Sequence, residues 1–514
     1  MRNVERSQAI LERLREFSLP ERPIYMVGGA VRDQLLQRPL HDLDFVLSGS
    51  TRPVARAIAD AFDGGFYVLD AERDTSRVVL PPTNGSRLVV DFAVMRGQSL
   101  EEDLRSRDFT LNALAYEVNE PGRLIDPLGG LADLQAGVVR ACSSASLESD
   151  PVRVLRAVRL AVSMQFRIDP GTLHLVRTAV PLLGRVSPER QRDELFRMLA
   201  GRRVTQAVQI LDHVGALGVV LPELAGLKGV RQSVPHVWDV WEHTLAVIGH
   251  LERLFDALVG DYDEDAVADL ISGLAVLRLG RYRTQLERHF ALEGQPDRPE
   301  RALLFFAALY HDIAKPAARS VKPSGRVRFI GHADQGAVIT AERARALALS
   351  GDEVERSAGM VRHHMRIHHL AEALPPAAAE DGRRAPSRRA LYRFFRDTGS
   401  AGVDLCLLAL ADTRATYEVT LPQSVWLAEL DVCRALLEAY WENSDAVVSP
   451  PRLLNGNEVM KAFHLKPGPQ VGELLEAVRE GQAAGEITSR EEAFDFARRW
   501  LEGHEEQHEI EEEG

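Results

Sequence analysis

Near the N-terminus, Ile10, Leu11, Leu14 and Phe17 recur at helical spacing, and Pro20 and Pro23 close that run. Beyond them the period changes. Short apolar runs at 24–27, 43–47, 66–69, 78–80 and 88–94 predict strands, with helices at 30–37 and 54–62 between them. The alternation describes a small α+β unit that finishes near Gly130. From Leu131 onward the spacing is almost wholly helical. Residues 151–166 and 189–199 carry apolar positions at i, i+3 and i+4 with arginines on the other face. Histidines gather between Gly229 and Tyr417, in a stretch that includes an expected flexible loop at 371–388, rich in Pro, Ala and charge. Helical spacing resumes over 450–501, and no segment repeats another.

These changes divide the chain into an N-terminal helix (1–20), the α+β unit (21–135), a helical connector (136–228), the histidine-rich region (229–420), a helical region (421–502) and an acidic end (503–514). At 514 residues the chain is too long for one core. A hydrophobic content of 45% with 27% charged residues is ordinary for a globular protein in water. No run approaches the ~20 apolar residues of a membrane span. The first six residues lead into an amphipathic pattern without an apolar signal core, so the expected location is the cytoplasm. Cys142, Cys406 and Cys433 lack paired spacing and read as small buried apolar residues. The net charge of −13 argues against a protein uniformly coated in nucleic acid, but a net value hides distribution. Six glutamates fall within 505–514, a run expected to stay solvated and disordered. By contrast, Arg153, Arg156, Arg159, Arg167, Arg177, Arg185, Arg190, Arg192, Arg197, Arg202 and Arg203 make one region dense in arginine, and a locally basic segment can bind RNA.

The chemistry centres on Asp42-Leu43-Asp44. Residues two apart on a strand point to the same face, so both carboxylates reach one spot. Paired hard oxygens suit Mg²⁺, and Asp91, from 88–94, offers a third carboxylate. Such a set can hold two metals about 4 Å apart, one for an attacking hydroxyl and one for a leaving group. Alone, an Asp-x-Asp pair is common on protein surfaces. Gly28-Gly29-Ala30-Val31-Arg32-Asp33 gives it weight, because a strand end, two glycines and a helix start direct backbone amides at a phosphate, with Arg32 adding charge.

Gly28–Asp33 followed by His41-Asp42-Leu43-Asp44-Phe45 resembles the nucleotidyltransferase motif of the class II tRNA CCA-adding enzymes and bacterial poly(A) polymerases. The resemblance continues in order. The run from Asp103 to Ala113 resembles the second motif, which implies that Arg107 contacts nucleotide. Ile125-Asp126-Pro127-Leu128-Gly129-Gly130 is similar to the linker into the neck. Asp150-Pro151-Val152-Arg153-Val154-Leu155-Arg156-Ala157-Val158-Arg159 is similar to the motif in which Asp150 and Arg153 would act as an amino-acid template for the incoming base. On one helical face, a carboxylate and a guanidinium would offer an acceptor and donors to a base edge. Glu189-Arg190 with Glu194-Leu195 resembles the fifth, helix-stabilising motif. Ser149 and Ser106 depart from the family pattern, and the interval from Asp91 to Arg107 is shorter than in full CCA-adding enzymes. Those enzymes carry a flexible loop there, and its shortening resembles enzymes that add only CC.

His243, His311-Asp312 and Asp412 have the order H…HD…D and fall in apolar-periodic helical segments. Mixed nitrogen and oxygen donors suit Mn, Fe, Ni, Co or Mg as the divalent ion. His332, His363 and His364 are candidates for a second metal, and His236 and Asp239 precede His243 by about two turns and one turn of an extended helix. The set resembles an HD phosphohydrolase domain. The segments 453–460 and 467–475 resemble the RNA-contacting end of the same family, or else Pro467-Gly468-Pro469 is only a turn between helices.

The resemblance implies a multidomain α+β chain: a polymerase-β-like nucleotidyltransferase palm followed by largely all-α neck, HD and tail domains. The expected reaction is addition of C, as CC or CCA, to a tRNA 3′ end from CTP and, for the last step, ATP, with Mg²⁺ at Asp42 and Asp44 and pyrophosphate as the other product. Gly28, Gly29, Arg32, Arg107, Arg156 and Arg159 would hold nucleotide and phosphates. A poly(A) polymerase, or an HD-type phosphohydrolase with a nucleotide-binding palm, is the alternative.

Overall fold

β-Branched and aromatic runs separated by turn residues assemble into one mixed sheet. In the computed structural model, which describes residues 3–40, 42–82, 88–260, 269–295, 298–374 and 384–512, its strands are β1 (Ile24–Val27), β2 (Asp42–Leu47), β3 (Gly65–Asp70), β4 (Thr75–Val79), β5 (Val89–Val94), β6 (Ala115–Glu117) and β7 (Glu120–Ile125). His41 and residues 375–383 of the expected loop lie outside the described residues. The spatial order is β3-β4-β5-β2-β1-β6-β7. β2 and β5 are parallel neighbours, and the other pairs are antiparallel.

Alternation along β2 decides what each face of the sheet does. Leu43, Phe45 and Leu47 join a core with β5 residues Val90 and Phe92, and with α1 (Asn3–Arg15), α2 (Gly29–Leu35) and α3 (Thr51–Ala61). Phe45 stacks on Phe92 with ring centroids 5.5 Å apart. Asp42, Asp44 and Val46 take the other face. There Val46 packs with Val27, Ala113, Ala115 and Leu104 of α4 (Leu100–Arg105) in a smaller cluster. One face is covered by helices, and the other is left for chemistry.

Contacts divide the chain into two compact units, one formed by Met1–Glu194 with Gln206–Val220, the other by Leu195–Thr205 with Leu221–Gly514. The first contains the sheet and the helix Arg153–Met164. In the second, the helix Glu300–Tyr310 is buried at every position from Ala302 to Tyr310, which makes it a central helix with no solvent face. His311 and Asp312 therefore emerge in the interior. They stand in the turn beyond that helix, not within a helix as the apolar periodicity suggested. Ala401–Tyr417, almost as fully buried, carries Asp412, and Val240–Leu258 carries His243 in its first turn. Among the described residues no helix is long and apolar enough to cross a membrane.

The last helices, Gly456–Phe463, Pro469–Ala484 and Arg490–Glu512, pack around Val459, Leu474, Val478 and Ala497. Gly468 and Pro469 form the start of the middle one. The backbone is helical to Glu512, through most of the acidic run. Glutamate has high helix propensity, and the run extends a helix already nucleated by Ala493, Ala497 and Leu501 in the core.

Candidate active site and candidate metal centre

Strand register brings the acids and the glycine turn together. Asp44 pairs with Asp91 across the parallel β2–β5 ladder and with Val27 across β1–β2, one residue before Gly28. Gly28 has φ +76°, and a Cβ there would lie 3.2 Å from Arg107 Nη1 and 3.3 Å from Asp44 Oδ2. A cavity of about 260 Å³ is lined by Gly28, Gly29, Asp44, Arg107, Arg153 and Arg156, among others. Asp42 is exposed on the same face as Asp44. Burial, reinforced by Asp91 and Asp42 against the pull of Arg107 and Arg77, pushes the Asp44 carboxyl up to about 6.

A Gly28→Ala variant tests the turn. The side chain adds backbone strain of about 1–3 kcal/mol at this φ and crowds two charged groups at once. Nucleotide incorporation is expected to fall about tenfold or more, corresponding to roughly 1.4 kcal/mol at the transition state, with the circular-dichroism spectrum unchanged; wild-type rates would remove the turn from the site.

The remaining residues expected at this site are tied into networks. Asp91 accepts from Arg77 at both oxygens, Nε and Nη2 each at 2.8 Å, so its carboxylate is clamped. Arg32 donates to Asp33 at 2.9 and 2.8 Å and to Asn112 at 2.6 Å, and Asn112 lines the cavity. Arg107 donates to Asp103 through Nε and Nη2, at 3.1 and 3.0 Å. Arg156 donates to Asp108 and Glu194, each at 3.1 Å, and Arg159 to the other oxygen of Glu194 at 2.6 Å. Burial alone would raise the Asp108 carboxyl, but Arg156, Asn112 and the Phe109 amide outweigh it and hold it below the usual range. Arg156 thus faces the cavity while Arg159 braces the same buried Glu194.

Asp150 and Arg153 do not share a helical face. The helix begins at Arg153, and Asp150 precedes it in extended backbone (φ −147°, ψ 90°) because Pro151 interrupts the turn. Arg190 holds Asp150 at 2.8 Å. The Arg153 guanidinium is buried and donates to the carbonyls of Ser106, Arg107 and Ser146 and to the Ser146 hydroxyl, while its Nε makes no hydrogen bond but lies 3.9 Å from Asp150 Oδ2, so the two charges stay paired. Both residues nevertheless line a larger cavity of about 1190 Å³, which Arg156 and Arg190 also border.

In the second unit, His243, His311 and Asp312 place their ligand atoms within 4.8 Å of one another, and so do Asp312, His332 and His364. Asp412 Oδ1 stands 3.0 Å from His243 Nε2. Both nitrogens of His243, His311 Nε2 and Asp312 Oδ2 are buried and lack a well-directed hydrogen bond. Lys315 Nζ, 2.6 Å from Asp312 Oδ2, and the imidazoles help hold the Asp312 carboxyl well below its ordinary range despite burial. Burial and the His311 charge push His364 down to about 3. His363 joins neither trio; its charged neighbours are Arg366, Asp397, Arg362 and Asp334. Successive helical residues point about 100° apart, so His363 and His364 could not both face the centre.

Asp239 caps the helix Val240–Leu258 and also accepts from the Gly229 amide at 2.8 Å, a structural role. His236 lies before that cap, its ring 5.2 Å from the His243 ring; burial and Lys315 push it down to about 4. The residues missed by sequence reasoning are His368 and Glu429. His368 donates to Asp412 at 3.1 Å and to Glu429 at 2.8 Å, and these carboxylates hold the imidazole protonated well above its ordinary range against burial. No spacing signal links His368 to Asp412, only the packing of their helices.

The Poly A polymerase head domain family matches residues 24–140, the "Probable RNA and SrmB- binding site of polymerase A" family residues 165–227, and the HD domain family residues 240–393. An A-adding tRNA nucleotidyltransferase of Deinococcus radiodurans is 33% identical over 483 residues, 93% of this chain and 95% of that one. A CC-adding tRNA nucleotidyltransferase of Thermus thermophilus is 32% identical over 489 residues, 94% of this chain and 95% of that one. Among solved structures, a CCA-adding enzyme with ATP matches at a TM-score of 0.57 and 19% identity, over 97% of this chain and 95% of that one. The Thermotoga maritima CCA-adding enzyme complexed with tRNA matches at 0.52 and 20%, over 96% and 94%. Sheet, glycine turn and these folds define a polymerase-β-like nucleotidyltransferase head followed by a helical neck and an HD domain. The chain belongs to the tRNA nucleotidyltransferase family.

Proposed function

We propose that this chain extends the 3′ end of tRNA with nucleotides from CTP, and that it stops after CC. What carries the reading is the convergence of Asp44, the Gly28-Gly29 turn and Arg107 on one cavity in a chain of this family. The donor set fits Mg²⁺: carboxylate oxygens crowd one sheet face, and their mutual repulsion is relieved by a divalent cation. Held by Asp42 and Asp44, with Asp91 beside them, Mg²⁺ would supply polarisation of the attacking 3′-hydroxyl and of the departing pyrophosphate. The Gly29 amide and Arg107 grip the triphosphate while the Gly28 amide donates to the Leu114 carbonyl at 3.3 Å and fixes the turn; Arg156 adds positive charge, and Glu194 with Arg159 fixes Arg156. Asp150 and Arg153 meet the base edge, and Arg77 orients Asp91.

The halt after CC rests on the connection between β5 and α4, which is only residues 95–99. Asp103 accepts from the Arg96 amide at 2.9 Å, Glu102 from the Gln98 amide at 2.6 Å, and the Ser99 hydroxyl caps α4. The turn is closed on its own helix and has no slack to follow a change of nucleotide.

At the second site, His243, His311, Asp312 and Asp412 would hold a divalent first-row metal (Mn, Fe, Ni or Co) or Mg²⁺ for phosphate-ester hydrolysis. The buried ring nitrogens and carboxylate oxygen without well-directed partners fit such an ion. When bound, the ion would supply an activated water.

One assay tests the whole reading. With tRNA lacking its CCA end, CTP and ATP together are expected to give a product two residues longer and made only of C. A finished CCA end overturns the CC reading, and an A homopolymer favours a poly(A) polymerase. Asp42→Ala is expected to abolish incorporation and leave phosphatase activity intact.

A further inference from the structure

We infer that the hairpin formed by Arg319–Val321 and Val327–Phe329 binds single-stranded RNA and leads the end of the strand into the cavity of the second unit. The direction of the strand rests on reading that cavity as a phosphate-ester site, and the hairpin adds a preference for a polymer over a mononucleotide.

Between Asp312 and Asp334 the chain carries Lys315, Arg319, Lys322, Arg326 and Arg328 and no acid, in a protein of net charge −13. Lys315 is buried and committed to Asp312 and Gln232. The other four are exposed, and among the described residues none of them enters an ion pair. By contrast, exposed Arg393 is matched by Glu480 and exposed Arg490 by Glu458. Unmatched cations on one ribbon repel one another, and a polyanion relieves that cost.

Register sorts these side chains. Ser320 pairs with Arg328 and Val321 with Val327, and one step further the Lys322 amide donates to the Arg326 carbonyl at 2.9 Å. Opposed residues share a face, and successive residues alternate between faces. Val327 and Phe329 therefore turn inward, half-buried, while Lys322, Arg326, Arg328 and Ser320 share the outer face. Arg326 and Arg328 stand about 7 Å apart along their strand, a step comparable with one nucleotide of an extended chain. The Gly325 amide donates to the Lys322 carbonyl at 2.8 Å and closes the turn, so the cationic face is set before any strand arrives.

The hairpin is also a wall of the cavity. Its Val327 amide donates to the Ser233 hydroxyl at 2.8 Å, and Lys315 Nζ stands 5.4 Å from the centre of the Phe329 ring. Arg326 and Phe329 border the cavity of about 620 Å³ whose lining includes Asp312 and Asp412. A strand lying along Lys322, Arg326 and Arg328 thus ends where its terminal phosphate meets that centre. An acidic peptide would match the charges but brings no phosphate to the cavity.

Crosslinking tests this surface. Full-length protein is irradiated with a short single-stranded RNA carrying thiouridine and a 3′-phosphate, and adducts are located by peptide mass spectrometry. Adducts are expected within residues 319–330. Each phosphate contact on a single strand adds about 0.7 to the salt slope, so three contacts predict roughly twentyfold weaker titration of that adduct at 200 than at 50 mM salt. Combined Lys322→Ala, Arg326→Ala and Arg328→Ala should lose the adduct while nucleotide addition to tRNA stays at the wild-type rate. The charge-conserving set Lys322→Arg, Arg326→Lys and Arg328→Lys should retain it. Adducts that lie only elsewhere, or that the triple alanine variant keeps, overturn the assignment. So does displacement by polyglutamate, or by a mononucleotide 3′-phosphate, that matches displacement by unlabelled RNA. Phosphate released from the RNA end in Mn²⁺ is followed in parallel. An adduct without release supports the hairpin and overturns only the hydrolytic reading of the centre.

Discussion

Asp44→Asn is expected to cut nucleotide incorporation by about 10³-fold or more, the scale of losing a metal-bound reaction path, while raising the unfolding temperature. Activity falls because the amide cannot replace a charged oxygen at the point where Asp42, Asp91 and the Gly28 turn converge. Stability rises because the folded chain holds this carboxyl near 6 against an ordinary 3.8, so folding favours its protonated form. Between those values the folded state binds more protons than the unfolded one, and stability drops as pH climbs through the interval. Above about 6 the cost is complete, on the order of 2 kcal/mol after discounting for partial solvent access. An asparagine never incurs it. In metal-free buffer the variant should melt higher than wild type at pH 7.5, with the gap shrinking toward pH 4.5. Mg²⁺ should then stabilise wild type and not the variant. A variant that melts lower at neutral pH would mean the acids are not in excess.

Glu194→Ala is expected to destabilise the first unit by about 3–5 kcal/mol, because it removes one member of a buried ion cluster and strands the others. Glu194 is 3% exposed and accepts from Arg156 at 3.1 Å and Arg159 at 2.6 Å. Without it, two guanidinium groups share a pocket whose remaining acid, Asp108, reaches only Arg156. The shift in melting temperature should be on the order of 10 °C. Glu194→Gln, which keeps the volume and one acceptor, should lose less. Because Arg156 lines the nucleotide cavity, KM for CTP should rise in both variants. Thermal unfolding with steady-state kinetics checks both effects, and unchanged stability would reduce the cluster to a surface ion pair.

How far the sequence could be read depended on whether a signal was local. Strands β1, β2 and β5 and the pair Asp42–Asp44 were legible because period-two alternation and an i, i+2 spacing lie within six residues. β7 was not, since Pro121-Gly122 in Glu120–Ile125 reads as a turn and only pairing with β6 makes it a strand. The clamp on Asp91 comes from Arg77, its cross-strand partner fourteen residues away, and register is not visible in composition. The ordered histidines and aspartates of the second unit stood out because the HD pair is contiguous. Choosing His364 over His363 required knowing which side of a helix faces inward, and His368 with Glu429 required knowing which helices touch.

The in-step pairing of Asp44 with Asp91 has a consequence for how this protein tolerates change. A deletion of one residue of β5 ahead of Asp91 would rotate every later side chain to the opposite side, burying Asp91 where Val90 now sits in the core and aiming the Phe92 ring at the substrate. Such a frame error ruins the packing and the chemistry in one stroke, so the two cannot drift apart: the reacting centre is inherited with the weave of the sheet.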